Sequence, residues 1–127
     1  MPYGQINTDT IQSSTTGTAP VFKDGSGSQI GTLCRAWVNF AGASGTRNAS
    51  FNVSSVTRNS TGNYTVNFAT AFADANYAVS SAFLWNGAGN GNTQIYTSPT
   101  ASSVVVQALT TAGAFYDPTS YTVAIFR

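Results

Sequence analysis

A chain of 127 residues with a hydrophobic fraction of 42% has the material for one domain with a real core, and not for two. Charged residues make up only 7%, against roughly 25% in ordinary proteins, so the surface is built from hydroxyls and amides rather than charges. The net charge is +1 and the cations Lys23, Arg35, Arg47, Arg58 and Arg127 are scattered, which argues against a nucleic-acid partner, because that requires several phosphates to be neutralised together.

Residues 1–30 form the first predicted region. Apolar residues are sparse there: Tyr3, Ile6, Ile11, Val21 and Phe22 are separated by "NTDT", "QSSTTGTAP" and "KDGSGSQ". Such a stretch cannot bury a core of its own, and it reads as an extended N-terminal arm or stem, ordered by pairing with sister chains or a larger assembly. No charged segment followed by an apolar one opens the chain, and no apolar run could span a bilayer, so the expectation is a soluble product without membrane insertion or a secretory signal.

Residues 31–127 form the second region, where the pattern becomes alternating. In "TLCRAWVNF" the residues Cys34, Ala36, Val38 and Phe40 share a face; in "NYTVNF" it is Tyr64, Val66 and Phe68; in "NYAVSSAFLW", Tyr77, Val79, Phe83 and Trp85. In "SSVVVQAL" one face holds Val104, Val106 and Ala108, and in "SYTVAIF" one face holds Tyr121, Val123 and Ile125. Period two with β-branched and aromatic residues is the strand signature. Turn chemistry separates the runs at 59–63, 72–76, 86–92, 97–103 and 113–120. The reading is an all-β fold, a small antiparallel β-sandwich of about seven strands. Strands such as "VVVQAL" and "TVAIF" are apolar on both faces, and edge strands without charges aggregate unless covered. A homotrimer, with the arm as a threefold bundle, resolves this.

Cys34 is the only cysteine, so no disulfide forms within a chain, and it reads as a small buried hydrophobe. The sequons at Asn48, Asn52, Asn59 and Asn63 are expected by chance in so Asn/Ser/Thr-rich a sequence.

The chain contains no His and no Glu, which removes Ser-His-Asp and Cys-His catalysis, His-based zinc sites and the commonest general acids and bases. The expectation is no enzyme, no cofactor and no metal; a calcium site would have to rely on backbone and Asn oxygens. A glycosidase would need two carboxylates facing each other, and Asp74 and Asp117, both in predicted turns, read more simply as turn residues bonded to their own backbone. The string "NGAGNGN" lacks the Lys and the following helix of a phosphate loop.

Two loops carry the residue types that recognise neutral sugars, an aromatic face for the C–H face of the ring and amides or carboxylates for its hydroxyls. One holds Trp85, Asn86, Asn90 and Asn92, the other Tyr116, Asp117 and Tyr121. Loops on a rigid β scaffold are where binding residues are presented. Trp85 is also in phase with Val79 and Phe83, so a core position at a strand end is open to it.

The stretch from "GTLCRAWVNF" through "GNYTVNFATAFADANYAV", with the ending "YDPTSYTVAIFR", resembles a recurrent module of tailed-bacteriophage tail fibres and receptor-binding proteins, especially of phages infecting cyanobacteria and other aquatic bacteria. The opening "MPYGQINTDTI" is similar to the start of many short phage structural proteins. In pattern, the sandwich is also similar to the small trimeric H-type lectin fold, although the charged and His ligands of that lectin have no counterpart. The resemblance implies a virion protein: a trimeric fibre whose residues 1–30 join other virion proteins and whose sandwich adheres to host surface glycan or lipopolysaccharide. The alternatives are a purely architectural fibre or decoration of capsid or tail, and a glycan depolymerase, which the missing His and Glu oppose.

Overall fold

The computed structural model describes residues 8, 10–15, 20–84 and 91–127, and for 91–96 the backbone alone. The chain divides into two compact units, Met1–Thr32 and Leu33–Arg127. Among the described residues of the first unit, β1 (Phe22–Lys23) and β2 (Gln29–Gly31) pair antiparallel. The turn between them is stitched by Asp24, whose Oδ1 accepts from the amides of Ser26 and Ser28, each at 2.9 Å. Where the sequence predicts a plain extended arm, this Asp-Gly-Ser-Gly-Ser turn folds the chain back on itself.

The second unit is all-β, a sandwich of two four-stranded antiparallel sheets. β3 (Cys34–Phe40), β4 (Arg47–Phe51), β7 (Ala78–Leu84) and β10 (Ser120–Phe126) make one sheet in the order β4-β3-β10-β7. β5 (Val53–Ser60), β6 (Asn63–Phe68), β8 (Gly91–Thr97) and β9 (Ser103–Thr110) make the other, in the order β5-β6-β9-β8. The inner faces are those the alternation assigns. Ala36, Val38, Phe40, Tyr64, Val66, Phe68, Val104, Val106, Ala108, Tyr121, Val123 and Ile125 are all buried in one core, each larger aliphatic or aromatic side chain contributing on the order of 1.5–3 kcal/mol. Phe40, Tyr64 and Tyr121 pack as an aromatic cluster with ring centroids 5.0–5.8 Å apart. Cys34 is only partly buried.

Among the described residues of this unit eight strands stand where about seven are predicted, and two of the runs that period two misses have identifiable causes. The β5 strand is interrupted by register shifts between Val53 and Ser55 and between Arg58 and Ser60, so Val53, which is buried, and Val56, which packs against the core, are three positions apart. Such bulges break the alternation. Second, the end of the Gly-rich string is not all loop: Gly91 and Asn92 already pair with Thr110 and Leu109.

The outer faces differ in chemistry. On the second sheet, Asn59 donates to Asn63 and Thr65, and Asn67 to Ser55, forming a ladder of amides and hydroxyls. On the first, the exposed Trp37 and Phe51 stand opposite each other across β3 and β4.

Candidate functional site

Three of the described connections meet at one end of the sandwich. β3 runs to this end, where Phe40 pairs with Tyr121, and turns back through 41–46 into β4. The β5–β6 turn at Thr61 and Gly62, the β9–β10 connection at 111–119 and the strand ends at Leu84 and Gly91 lie there too, since Leu84 pairs with Ser120 and Gly91 with Thr110. The 111–119 connection, one of the two loops singled out in the sequence, therefore belongs to this end. Leu33 and Arg127, the first and last residues of this unit, lie at the opposite end, where Cys34 pairs with Phe126. A seven-residue strand separates the two ends by roughly 20 Å.

The β9–β10 connection is locked down by Asp117. Its carboxylate accepts from Arg58 Nε at 3.1 Å and 3.2 Å and from Arg58 Nη2 at 2.5 Å. It also accepts from the Gly62 amide at 2.9 Å and from the Tyr64 hydroxyl at 2.7 Å. Burial would raise the Asp117 carboxyl, but the bonds from Arg58, Gly62 and Tyr64 outweigh it and hold the group below the usual carboxylate range. Tyr64 moves the other way: burial, and then its bond to the charged carboxylate, push the phenol far up.

Two glycines permit this docking. A Cβ on Gly62, whose φ is +64°, would stand 2.5 Å from Ala108 O and 2.7 Å from Tyr116 N. A Cβ on Gly42 would stand 2.2 Å from Pro118 O, and the Gly42 amide donates to that same carbonyl at 3.1 Å. The 116–118 segment thus lies directly on the two hairpin turns.

Against this geometry the predicted site residues separate. Tyr121 is 0% exposed, with its hydroxyl donated to Gln107 O at 2.8 Å; as a core residue on an inner face it has no surface to offer a ligand, which corrects its placement among the recognition residues. Asp117 is in the expected connection, but its oxygens are engaged by Arg58, Gly62 and Tyr64, rather than by its own turn. Tyr116 is half-buried, its ring edge-on to Phe83 at 5.3 Å. Trp85, Asn86 and Asn90 lie outside the described residues, and Asn92 is described only as backbone at the start of β8. Phe115, which the sequence reading left out of its site, is the large aromatic that this connection exposes, at 49%. Its place beside Tyr116 in the run "AFYDPTSY" is the signal that would have found it.

Asp74 and Asp117 do not face each other. Asp74 bonds the amide of Asn76 in its own turn, as predicted, and also pairs with Arg127 at the opposite end of the unit. Among the described residues, no group of three or more Cys, Asp or Glu side chains comes together in a way that could hold a metal ion.

No family model and no curated protein matches the chain. A solved structure does: the phiAB6 tailspike in complex with three-repeated oligosaccharides of Acinetobacter baumannii surface polysaccharide, with a TM-score of 0.51 and 18% identity. The match covers 97% of this chain and 30% of the tailspike chain, so the protein spans less than a third of that neighbour. At that identity the likeness is one of fold, an all-β architecture shared with part of that tailspike chain.

Proposed function

We propose that the protein is an adhesion module of a tailed phage, a fibre-like virion component whose sandwich binds glycan on the host surface. The observation that carries this reading is the polarity of the sandwich. Leu33 and Arg127 are at one end, together with the connections at 52, 69–77 and 98–102, while the connections at 41–46, 61–62 and 111–119 meet at the other on a base fixed by the Arg58–Asp117 pair. A rigid scaffold presenting loops away from its attachment point is the arrangement of a recognition head. The tailspike fold lends support, as does the resemblance of "CRAWVNF", "GNYTVNF" and "YTVAIFR" to fibre modules of phages of aquatic bacteria.

In this reading residues 1–30 serve attachment and trimerisation, the particle is decorated on its tail, and the protein is not an enzyme. Individual glycan contacts are weak, and several trimers act together by avidity. The test is binding of the purified protein to host cells and competition with phage adsorption. Binding and competition are expected, with a flat reducing-end assay on host polysaccharide; a trimer that neither binds nor competes hands the function to the architectural alternative.

A further inference from the structure

Resting on the adhesion reading, the geometry points to a neutral-sugar site on the outer face of the first sheet, beside the loop end rather than on the loops themselves. A groove of about 330 Å³ lies there, lined by Asn39, Ala82, Phe83, Leu84, Ser120 and Thr122. That volume is at the lower end of the roughly 300–1,000 Å³ of small-molecule sites. No ionisable side chain lines it, so a charged ligand gains no ionic partner, whereas a ligand carrying only hydroxyls loses nothing by their absence.

The polar groups of the groove are oriented before any ligand arrives. Asn39 Oδ1 accepts from Asn48 Nδ2 at 2.7 Å and from Ser120 Oγ at 3.3 Å, and Asn39 Nδ2 donates to Thr122 Oγ1 at 3.0 Å. These bonds fix which way the Asn39 amide faces. By donor inventory they leave the second amide N–H of Asn39 and the hydroxyl proton of Thr122 to donate, and lone pairs on Ser120 Oγ to accept. Donors and acceptors set side by side suit a sugar hydroxyl, which needs both. Leu84, 62% exposed, gives the groove an apolar wall. Two residues along β3 from Asn39, and so on the same face, the exposed Trp37 offers an aromatic surface on which the next ring of an oligosaccharide can lie.

The experiment is an amide-detected NMR titration of the full chain with neutral oligosaccharides from dextran, mannan and galactan, with alginate fragments as the charged comparator. At least one neutral oligosaccharide is expected to shift the Asn39 side-chain amide and the Thr122 and Ala82 amides, while alginate leaves them unmoved. Thr122→Val, which keeps the shape and removes the donor, should weaken binding about fivefold, and Ala82→Arg, which fills the groove from an exposed position, should abolish it with the melting temperature preserved. Shifts confined to 61–62 and 111–117 overturn the groove and leave adhesion by the loops standing. A neutral panel that moves nothing overturns it as well; adhesion then survives if the same protein binds host cells, and falls with it if the protein does not.

Discussion

Tyr64 donates its hydroxyl to Asp117 Oδ1 at 2.7 Å, joining a core aromatic of β6 to the β9–β10 connection across 53 positions of sequence. Because Arg58 and the Gly62 amide converge on the same carboxylate, this one side chain ties two connections of the loop end together. Asp117→Ala should therefore cost roughly 2–3 kcal/mol, the range for loss of charge-assisted bonds in a partly buried setting. In a domain of this size that corresponds to a fall in melting temperature of about 10 °C. Calorimetry that finds the variant within a degree of wild type would show the contacts to be ornamental.

The pH dependence follows from the same group. Asp117 has its carboxyl lowered in the folded state from 3.8, so the folded protein binds fewer protons than the unfolded chain in acid. Its contribution is complete above the unfolded value and is lost as pH falls through the folded one. The stability gap between wild type and Asp117→Asn, read from urea midpoints, should be constant from pH 7 to about 5 and close below about 4. A gap that persists unchanged to pH 2 would contradict this assignment.

Much of the fold was legible because strand period and core face coincide. Every residue assigned inward in "NYTVNF", "SSVVVQAL" and "SYTVAIF" is buried or at its edge, since a two-residue repeat leaves no other register in which the apolar set reaches the core. The β4–β5 crossing was not legible. It turns on Asn52, held at φ 53° with its amide donated to Arg35 O and Thr70 O and its Oδ1 accepting from the Thr70 amide. Nothing local announces those partners. Asp117 was misread for the same reason: an Asp before Pro looks like a turn residue, and Arg58 and Tyr64 become its partners only through the packing of β5 and β6.

Gly62 and Gly113 both have positive φ, +64° and +80°, yet only Gly62 is crowded. Gly113→Ala should cost about 1 kcal/mol, the backbone penalty alone. Gly62→Ala adds a clash with backbone atoms of Ala108 and Tyr116 and should cost about 3 kcal/mol or more. Equal effects in denaturant unfolding would mean that the β9–β10 connection is not docked on the turn.

Tyr64 and Tyr121 should resist alkali. Burial pushes Tyr121 up to about 12 and Tyr64 further. The folded state keeps protons that the unfolded chain releases near pH 10, so stability declines as pH rises above that value. In a spectrophotometric titration, at least two of the six tyrosines should ionise only with unfolding. Reversible ionisation of all six near pH 10, in protein that remains folded, would be inconsistent with the buried cluster.

The loop end makes its own prediction, separate from the groove. Phe115 is half exposed in the β9–β10 connection, where it bridges to Leu109, whereas Tyr116 beside it packs on Phe83. If this connection meets the host surface, Phe115→Ser should reduce cell binding several-fold while leaving the melting temperature and the oligomer size unchanged. Tyr116→Ala should lower both binding and stability, because its ring also supports Phe83. The contrast distinguishes contact from scaffold. A Phe115→Ser protein that adsorbs to host cells as well as wild type would move recognition away from this connection, to the sheet face or to the β7–β8 connection.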